Sequence, residues 1–273
     1  MKELIIESGK AERQYWKDIW AYRELFYFLA WRDILVRYKQ TTIGIAWAVI
    51  RTFLTVVISA IIFGRAAKLP SVGDVPYTLL VFFGVLPWNF FSAALTDASA
   101  SVLSNGNLIS KVYFPRLIVP ASAIIAGLVD FAISLALLAV FMIYYRFMPD
   151  WRIVFLPLFL TLAFATAMGA GLWLAALTVK YRDFRFITPF IVQFGFYISG
   201  VTFSSKVIPD NIRLIYSLNP LVGVIDGFRW CMTRGQSPMY LPGLLISIAL
   251  TSLLLWSGIR YFRATEKTFA DII

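Results

Sequence analysis

"KYRDFRFITPF", residues 180–190, places Lys180, Arg182, Asp183 and Arg185 within six consecutive positions between two long apolar runs. The surrounding chain of 273 residues is 60% hydrophobic, 17% aromatic and only 15% charged, with a mean hydropathy of +0.76. Such a composition lies outside the range of soluble domains and implies a membrane protein. The charges then mark a turn at the membrane surface, because charge at the hydrocarbon centre costs about 2.5 to 3.5 kcal/mol per residue on insertion scales.

Working outward from that turn, a helix that crosses about 30 Å of hydrocarbon needs about 20 mostly apolar residues. Runs of this kind occupy roughly Ile45–Gly64, Tyr77–Thr96, Leu117–Tyr145, Val154–Val179, Phe186–Phe203 and Tyr240–Tyr261. The expectation is an all-α, polytopic protein of six transmembrane helices in one domain, residues 1–273, with the bundle over about 45–261. The Phe186–Phe203 run is short enough to make a broken or shallow span. No internal repeat or low-complexity linker divides the chain. The opening "MKELIIESGKAERQYWKD" is polar and lacks the apolar centre of a secretory signal, so the N-terminus is expected to be retained.

Lysine and arginine accumulate in cytoplasmic loops. With the N-terminus inside, 17 of the 25 basic residues fall on the cytoplasmic side and 8 on the other. Both termini are therefore expected in the cytoplasm. The net charge of +10 is accounted for by this bias and by anionic lipid, without a nucleic-acid partner.

Several chemistries lack their residues. The chain has no histidine and a single cysteine, Cys231, which leaves no imidazole base, no internal disulfide and no expected metal site. Asp130, with Asp97 near a helix end, is the acid within the spans, which is sparse for ion-coupled transport. A lone Asp130 is read as paired with a polar neighbour in the bundle. The one Gly-Lys pair, Gly9-Lys10, lacks the upstream glycine of a phosphate loop. No cofactor is expected in this chain, and nucleotide energy, if used, must come from another polypeptide.

Three segments could form a contact surface for such a partner. In "YRELFYFLAWRDILVRYKQ", Tyr22–Gln40, the residues Tyr22, Leu25, Phe26, Leu29 and Val36 make an apolar helical stripe that Asp33 interrupts. This describes an amphipathic interface helix over about 20–40, which would serve equally as a plain membrane-surface anchor. In "SNGNLISKVYFPR", Ser104 or Asn105 could cap a short helix that stops before Pro115. In the opening turn, Asp183 could cap or pair locally while Arg182 and Arg185 face outward. A solvated turn is the alternative for each of the last two.

The segments "DILVRYKQTTIGIAWAVIRTFL", "GVLPWNFFSAAL", "NGNLISKVYFPRLIVP", "VKYRDFRFITPFIVQFGFYISGV" and "YSLNPLVGVIDGFRW" occur in the order found in ABC-2 type permeases, which the chain resembles over about residues 20–262. Among these it is most similar to the permeases of O-antigen, capsule or teichoic acid exporters. One departure is "ISGVTFSS", where many relatives carry Ser-Pro and a nearby Tyr while Gly200 and Phe203 stand here.

The resemblance implies a homodimer of six-span subunits in the cytoplasmic (inner) membrane, moving a lipid-linked polysaccharide. A separate ABC ATPase subunit, which binds the ATP and Mg, would dock on each. It implies ATPase coupling through Arg37, Tyr38, Lys111, Phe114, Arg116, Arg182, Asp183 and Arg185, with Gly44 and Trp47 in the N-terminal motif. It also implies short re-entrant external helices over about Ser204–Met239, with an external gate at Asn219, Pro220, Phe228 and Arg229. Trp47, Phe194, Phe196, Tyr197 and Phe203 are expected along the translocation path, and Trp88 by default in an interfacial aromatic belt. Two rivals stand beside this reading. One is an ABC-2 exporter of a drug or small lipid. The other is an integral membrane transferase or phosphatase, which would need clustered acids or histidines at one membrane face.

Overall fold

The computed structural model describes residues 11–39 and 44–269, with side chains from residue 15 onward. The Gly9-Lys10 pair and Gln40 lie outside the described residues. Among the described residues the secondary structure is entirely helical. Helix α1 spans Ala11–Ala21 and α2 Arg23–Lys39. They are followed by α3 Ile45–Ser59, which continues as a π-helical turn over Ala60–Ala66, then α4 Tyr77–Ser104 and α5 Gly106–Lys111. Next come α6 Ile118–Tyr144, a 3₁₀ segment Trp151–Phe155 leading into α7 Leu156–Lys180, and α8 Phe184–Ile198. Short helices α9 Asp210–Tyr216 and α10 Pro220–Met232 precede α11 Leu241–Thr265.

Five of these segments are long and apolar enough to cross a membrane: Ile45–Ala66, Tyr77–Ser104, Ile118–Tyr144, Trp151–Lys180 and Leu241–Thr268. They correspond to five of the six expected runs. The sixth run forms α8, which at 15 residues is only about 22 Å long at 1.5 Å per residue. It ends where Gly200 takes φ 67°, a left-handed conformation that glycine adopts without steric cost. The second span extends beyond Thr96 to Ser104, and in this added stretch Ser99, Ser101 and Ser104 satisfy their hydroxyls on carbonyls three residues earlier.

Helix α4 is the axis of the bundle. It packs along α6 and α7, while α7 also packs along α11. The α7–α11 seam is close because Gly169 and Gly258 face each other: a Cβ at Gly258 would meet the Gly169 carbonyl oxygen at 2.5 Å. Small residues permit this backbone approach in membranes. Thr166 and Thr251 hydroxyls then bond at 2.8 Å, and the Trp173 and Tyr261 rings stack at 4.1 Å.

Helix α2 lies against α6 through Tyr22, Leu25, Phe26, Leu29 and Ala30. The expected stripe needs one correction. Val36 is 53% exposed, while Asp33 sits on the inner face and accepts from Arg32 at 2.7 Å. Asn105 occupies the N-cap position of α5 without capping it; its Nδ2 donates to Ser101 and its Oδ1 accepts from Arg32. Trp88 is also corrected, being 3% exposed. It belongs to the core, against Phe91 and Phe196, rather than to a belt.

Residues near Tyr15, in the α4–α6 connection and after α11 meet. Tyr15 donates to Glu266 at 3.1 Å, Arg116 lies over the Phe269 ring, and Phe114, Phe262 and Phe269 are buried together with Ile109.

Candidate functional site: a polar cavity walled by α2, α3, α4 and α6

A cavity of about 410 Å³ opens between the first spans. Helix α3 contributes Trp47, Ala48, Arg51 and Thr52, which recur at helical spacing, and α4 contributes Asn89, Ser92, Thr96 and Asp97. Asp130 and Ser134 come from α6, one turn apart, and Val192 from α8. The C-terminal end of α2 closes one side with Arg37 and Tyr38.

Arg37 forms the centre of the charged wall. Its Nη1 donates to Asp130 at 2.5 Å and its Nη2 to Asp97 at 2.5 Å. Tyr38 donates its hydroxyl to the other oxygen of Asp130. Burial alone would favour neutral Arg37, but the Asp97 and Asp130 carboxylates outweigh it and hold the guanidinium above its ordinary pKa. Burial, and then the bond to Asp130, likewise push the Tyr38 phenol upward. One arginine therefore joins α2 to two spans. The expected pairing of Asp130 with a polar neighbour is what the structure contains.

Further along the cavity, Thr52 and Ser134 hydroxyls lie 3.1 Å apart, and Asn89 Nδ2 donates to Thr52 at 3.3 Å. These bonds cross three helices and keep the polar groups of the cavity wall satisfied. The sequence reading omitted Arg51, Thr52, Asn89, Thr96 and Ser134.

The residues expected to couple to an ATPase divide into two groups. Lys111, Arg182, Asp183 and Arg185 are exposed. Arg185 lies over the Phe186 ring at 4.7 Å, and Asp183 precedes α8 without a side-chain capping bond. Phe114 is buried, Arg116 is half-buried, and Arg37 and Tyr38 turn into the cavity. Along α8, Phe194 and Tyr197 are exposed while Phe196 packs edge-on to Trp88 at 6.1 Å. Phe203 is half-buried beside the Tyr216 ring at 6.5 Å.

At the other end of α8, the expected gate residues form a buried clamp. Asn219 Oδ1 caps α10 by accepting from Leu221 at 3.1 Å, and its Nδ2 donates to Ser199 at 2.8 Å. Pro220 then starts the helix, where its missing N–H costs nothing. Phe228 and Arg229 are 0% and 1% exposed. Arg229 donates to the carbonyls of Val201 at 2.6 Å, of Leu80 at 3.4 Å and of Phe203. Tyr77 donates to the intervening Thr202 carbonyl at 2.7 Å. A Cβ at Gly84 would lie 2.3 Å from the Val201 oxygen, so only glycine admits the turn there.

The architecture of apolar spans around a polar cavity agrees with what comparison with known proteins finds. The O-antigen export system permease protein RfbA of Myxococcus xanthus is 25% identical over 259 residues, covering 94% of this chain and 98% of the relative. The protein of the same name from Klebsiella pneumoniae is 25% identical over 250 residues, covering 89% and 92%. The polysialic acid transport protein KpsM of Escherichia coli is 23% identical over 246 residues, covering 86% and 91%. The family profile described as ABC-2 type transporter matches residues 24–233, and the chain belongs to that family.

Proposed function

We propose that this chain is the membrane permease subunit of an ABC exporter that moves a lipid-linked, O-antigen-like polysaccharide across the cytoplasmic membrane. The observation that carries the reading is the polar cavity enclosed by apolar spans and joined to α2 through Arg37. Relatives named for O-antigen export and polysialic acid transport match nearly end to end, which supports a polymer cargo over a drug. ATP hydrolysis belongs to a separate subunit, so this chain is not itself an enzyme. The exposed turns at Lys111 and at Arg182, Asp183 and Arg185 are its docking surface, and both termini share their cytoplasmic side.

Two copies associate through the uncovered face of α8, where Phe186, Phe190, Phe194 and Tyr197 are 47–65% exposed. Pairing gives this sixth membrane segment protein neighbours, and sugar rings pass along its aromatic surface. Helices α9 and α10 are re-entrant from the external side. Asn219, Pro220 and Arg229 act on the external opening by holding the turn at residues 201–203.

The chain alone is expected to show no ATP turnover, and it should copurify with an ABC ATPase encoded beside it. The double variant R182E/R185E should insert normally while losing that association and polymer export. Saturable ATP hydrolysis by the chain free of partner would refute the division of labour. Wild-type copurification and export by the double variant would remove the docking role from this turn.

A second expectation concerns α8. Replacing Tyr197 by Ala removes an exposed ring and should lower surface polymer several-fold at unchanged protein level, since an aromatic contact is worth about 0.5 to 1.5 kcal/mol. Replacing Phe196 by Ala should lower thermal stability as well, because that ring packs on Trp88. Surface polymer measured per unit of membrane protein decides the matter: wild-type export in both single variants and in the double variant would assign α8 to packing alone.

A further inference from the structure

We propose that the cavity beside α3 is a phosphate site, with Arg51 as its anion-binding residue and the phosphate of a membrane-embedded carrier lipid as its ligand. The inference rests on the export reading above, and it concerns which part of the cargo the cavity grips.

The argument begins with the cations of the cavity. Arg37 is committed to Asp97 and Asp130. Arg51 lines the same cavity, and among the described residues no acceptor lies within hydrogen-bonding reach of its guanidinium. One turn earlier on the same face, Trp47 presents an indole N–H that also has no acceptor there. This part of the cavity therefore offers donors and a guanidinium that no side chain holds directly, although Arg37 and Arg51 together balance Asp97 and Asp130 across the cavity as a whole. Arginine within a span normally pairs with an anion or marks a ligand path. Its planar fork matches the paired oxygens of a phosphate.

Depth and size select the kind of anion. Arg51 lies six residues into α3, about 9 Å along the helix axis, which keeps it near the headgroup level of the leaflet facing α2. A lipid phosphate can reach that level while its chain stays in hydrocarbon. The volume of about 410 Å³ admits a phosphate with a sugar attached, within the usual range for ligand cavities. Asp97 and Asp130 share the cavity but are held by Arg37 and Tyr38. The anion engages Arg51, the guanidinium of the cavity that those carboxylates do not bond.

The test uses the full chain in phosphatidylcholine nanodiscs and a radiolabelled long-chain polyprenyl phosphate as probe. Saturable binding is expected, with unphosphorylated polyprenol failing to bind and an equal amount of phosphatidylglycerol failing to displace the probe. Arg51→Gln should weaken binding about tenfold or more, with Arg51→Lys intermediate and self-association unchanged in both. Unchanged binding by Arg51→Gln overturns the proposal, as does equal binding of polyprenol. Equal displacement by phosphatidylglycerol would reduce the site to a surface-lipid contact. Loss of self-association in Arg51→Gln would make the arginine an ion-pair partner for a second copy. Failure of the wild-type chain with its ATPase to export polymer, while phosphate binding persists, would sink the export reading and leave this site standing.

Discussion

Arg229→Met is expected to cost about 3 to 5 kcal/mol of stability, the range for removing one partner of a buried charged network. The side chain is 1% exposed and serves three carbonyls on two separate segments, Leu80 in α4 and Val201 and Phe203 after α8. Methionine keeps most of the volume and none of the donors, so each carbonyl is left buried without its bond. Asp226, one turn earlier and 5% exposed, would then be a buried acid without the buried arginine of the same helix. The apparent melting temperature of the purified protein should fall on the order of 10 °C, given about 2 to 4 °C per kcal/mol for domains near this size. The substitution Thr202→Cys, at a position now 2% exposed, should introduce a thiol that reacts with a water-soluble maleimide in the Arg229→Met background. Arg229→Lys should recover only part, because an ammonium on one stem cannot span three carbonyls. An unchanged melting temperature together with an unreactive thiol in the Thr202→Cys variant would show that the Tyr77 and Asn219 bonds hold the turn without Arg229.

Five spans were legible in the sequence because each is a predominantly apolar run of sufficient length, in which single charges such as Arg51 and Asp130 are too few to break the pattern. The sixth run, expected to be short enough for a broken or shallow span, forms the 15-residue α8. Phe186–Phe203 is apolar enough, yet Gly200 turns the backbone at φ 67°, and the following three carbonyls are taken by Tyr77 and Arg229. Those partners lie 125 and 26–28 residues away, so nothing local announced them. Trp88 read as a belt residue for a similar reason. A tryptophan in an apolar run fits a belt, and it is the packing of Phe91, Phe196 and Gly195 against its ring that places it inside. The cavity was partly legible. Asn89, Ser92 and Thr96 recur at helical spacing in one span, and Asp130 and Ser134 in another, a polar stripe that could have been found by the same periodicity used for α2. What periodicity could not supply was the partner. Arg37 stands in a motif expected to face an ATPase, and the structure turns it inward.

That inward turn sets the second large effect. Arg37 connects α2 to Asp97 on α4 and to Asp130 on α6, each at 2.5 Å, and α2 otherwise meets α6 through the Tyr38 hydroxyl on Asp130 and through apolar contacts. Arg37→Met removes the only cation shown to touch both acids among the described residues and leaves two like charges beside one cavity. Each carboxylate remains 27–29% exposed, so the cost is less than for a fully buried pair, about 1 to 3 kcal/mol. Export should fall far more than stability does. If α2 carries motion from the ATPase to the cavity wall, a variant without the link hydrolyses ATP in the complex at a basal rate that export no longer follows. The triple variant Arg37→Met/Asp97→Asn/Asp130→Asn separates the two roles, because it removes the uncompensated charges without restoring the link. Protein level and melting temperature should return toward wild type, while polymer at the cell surface stays low. Recovery of export together with stability would make the cluster a matter of charge balance, and transmission from α2 would then have to run through its apolar contacts with α6 at Phe26, Leu29 and Ala30.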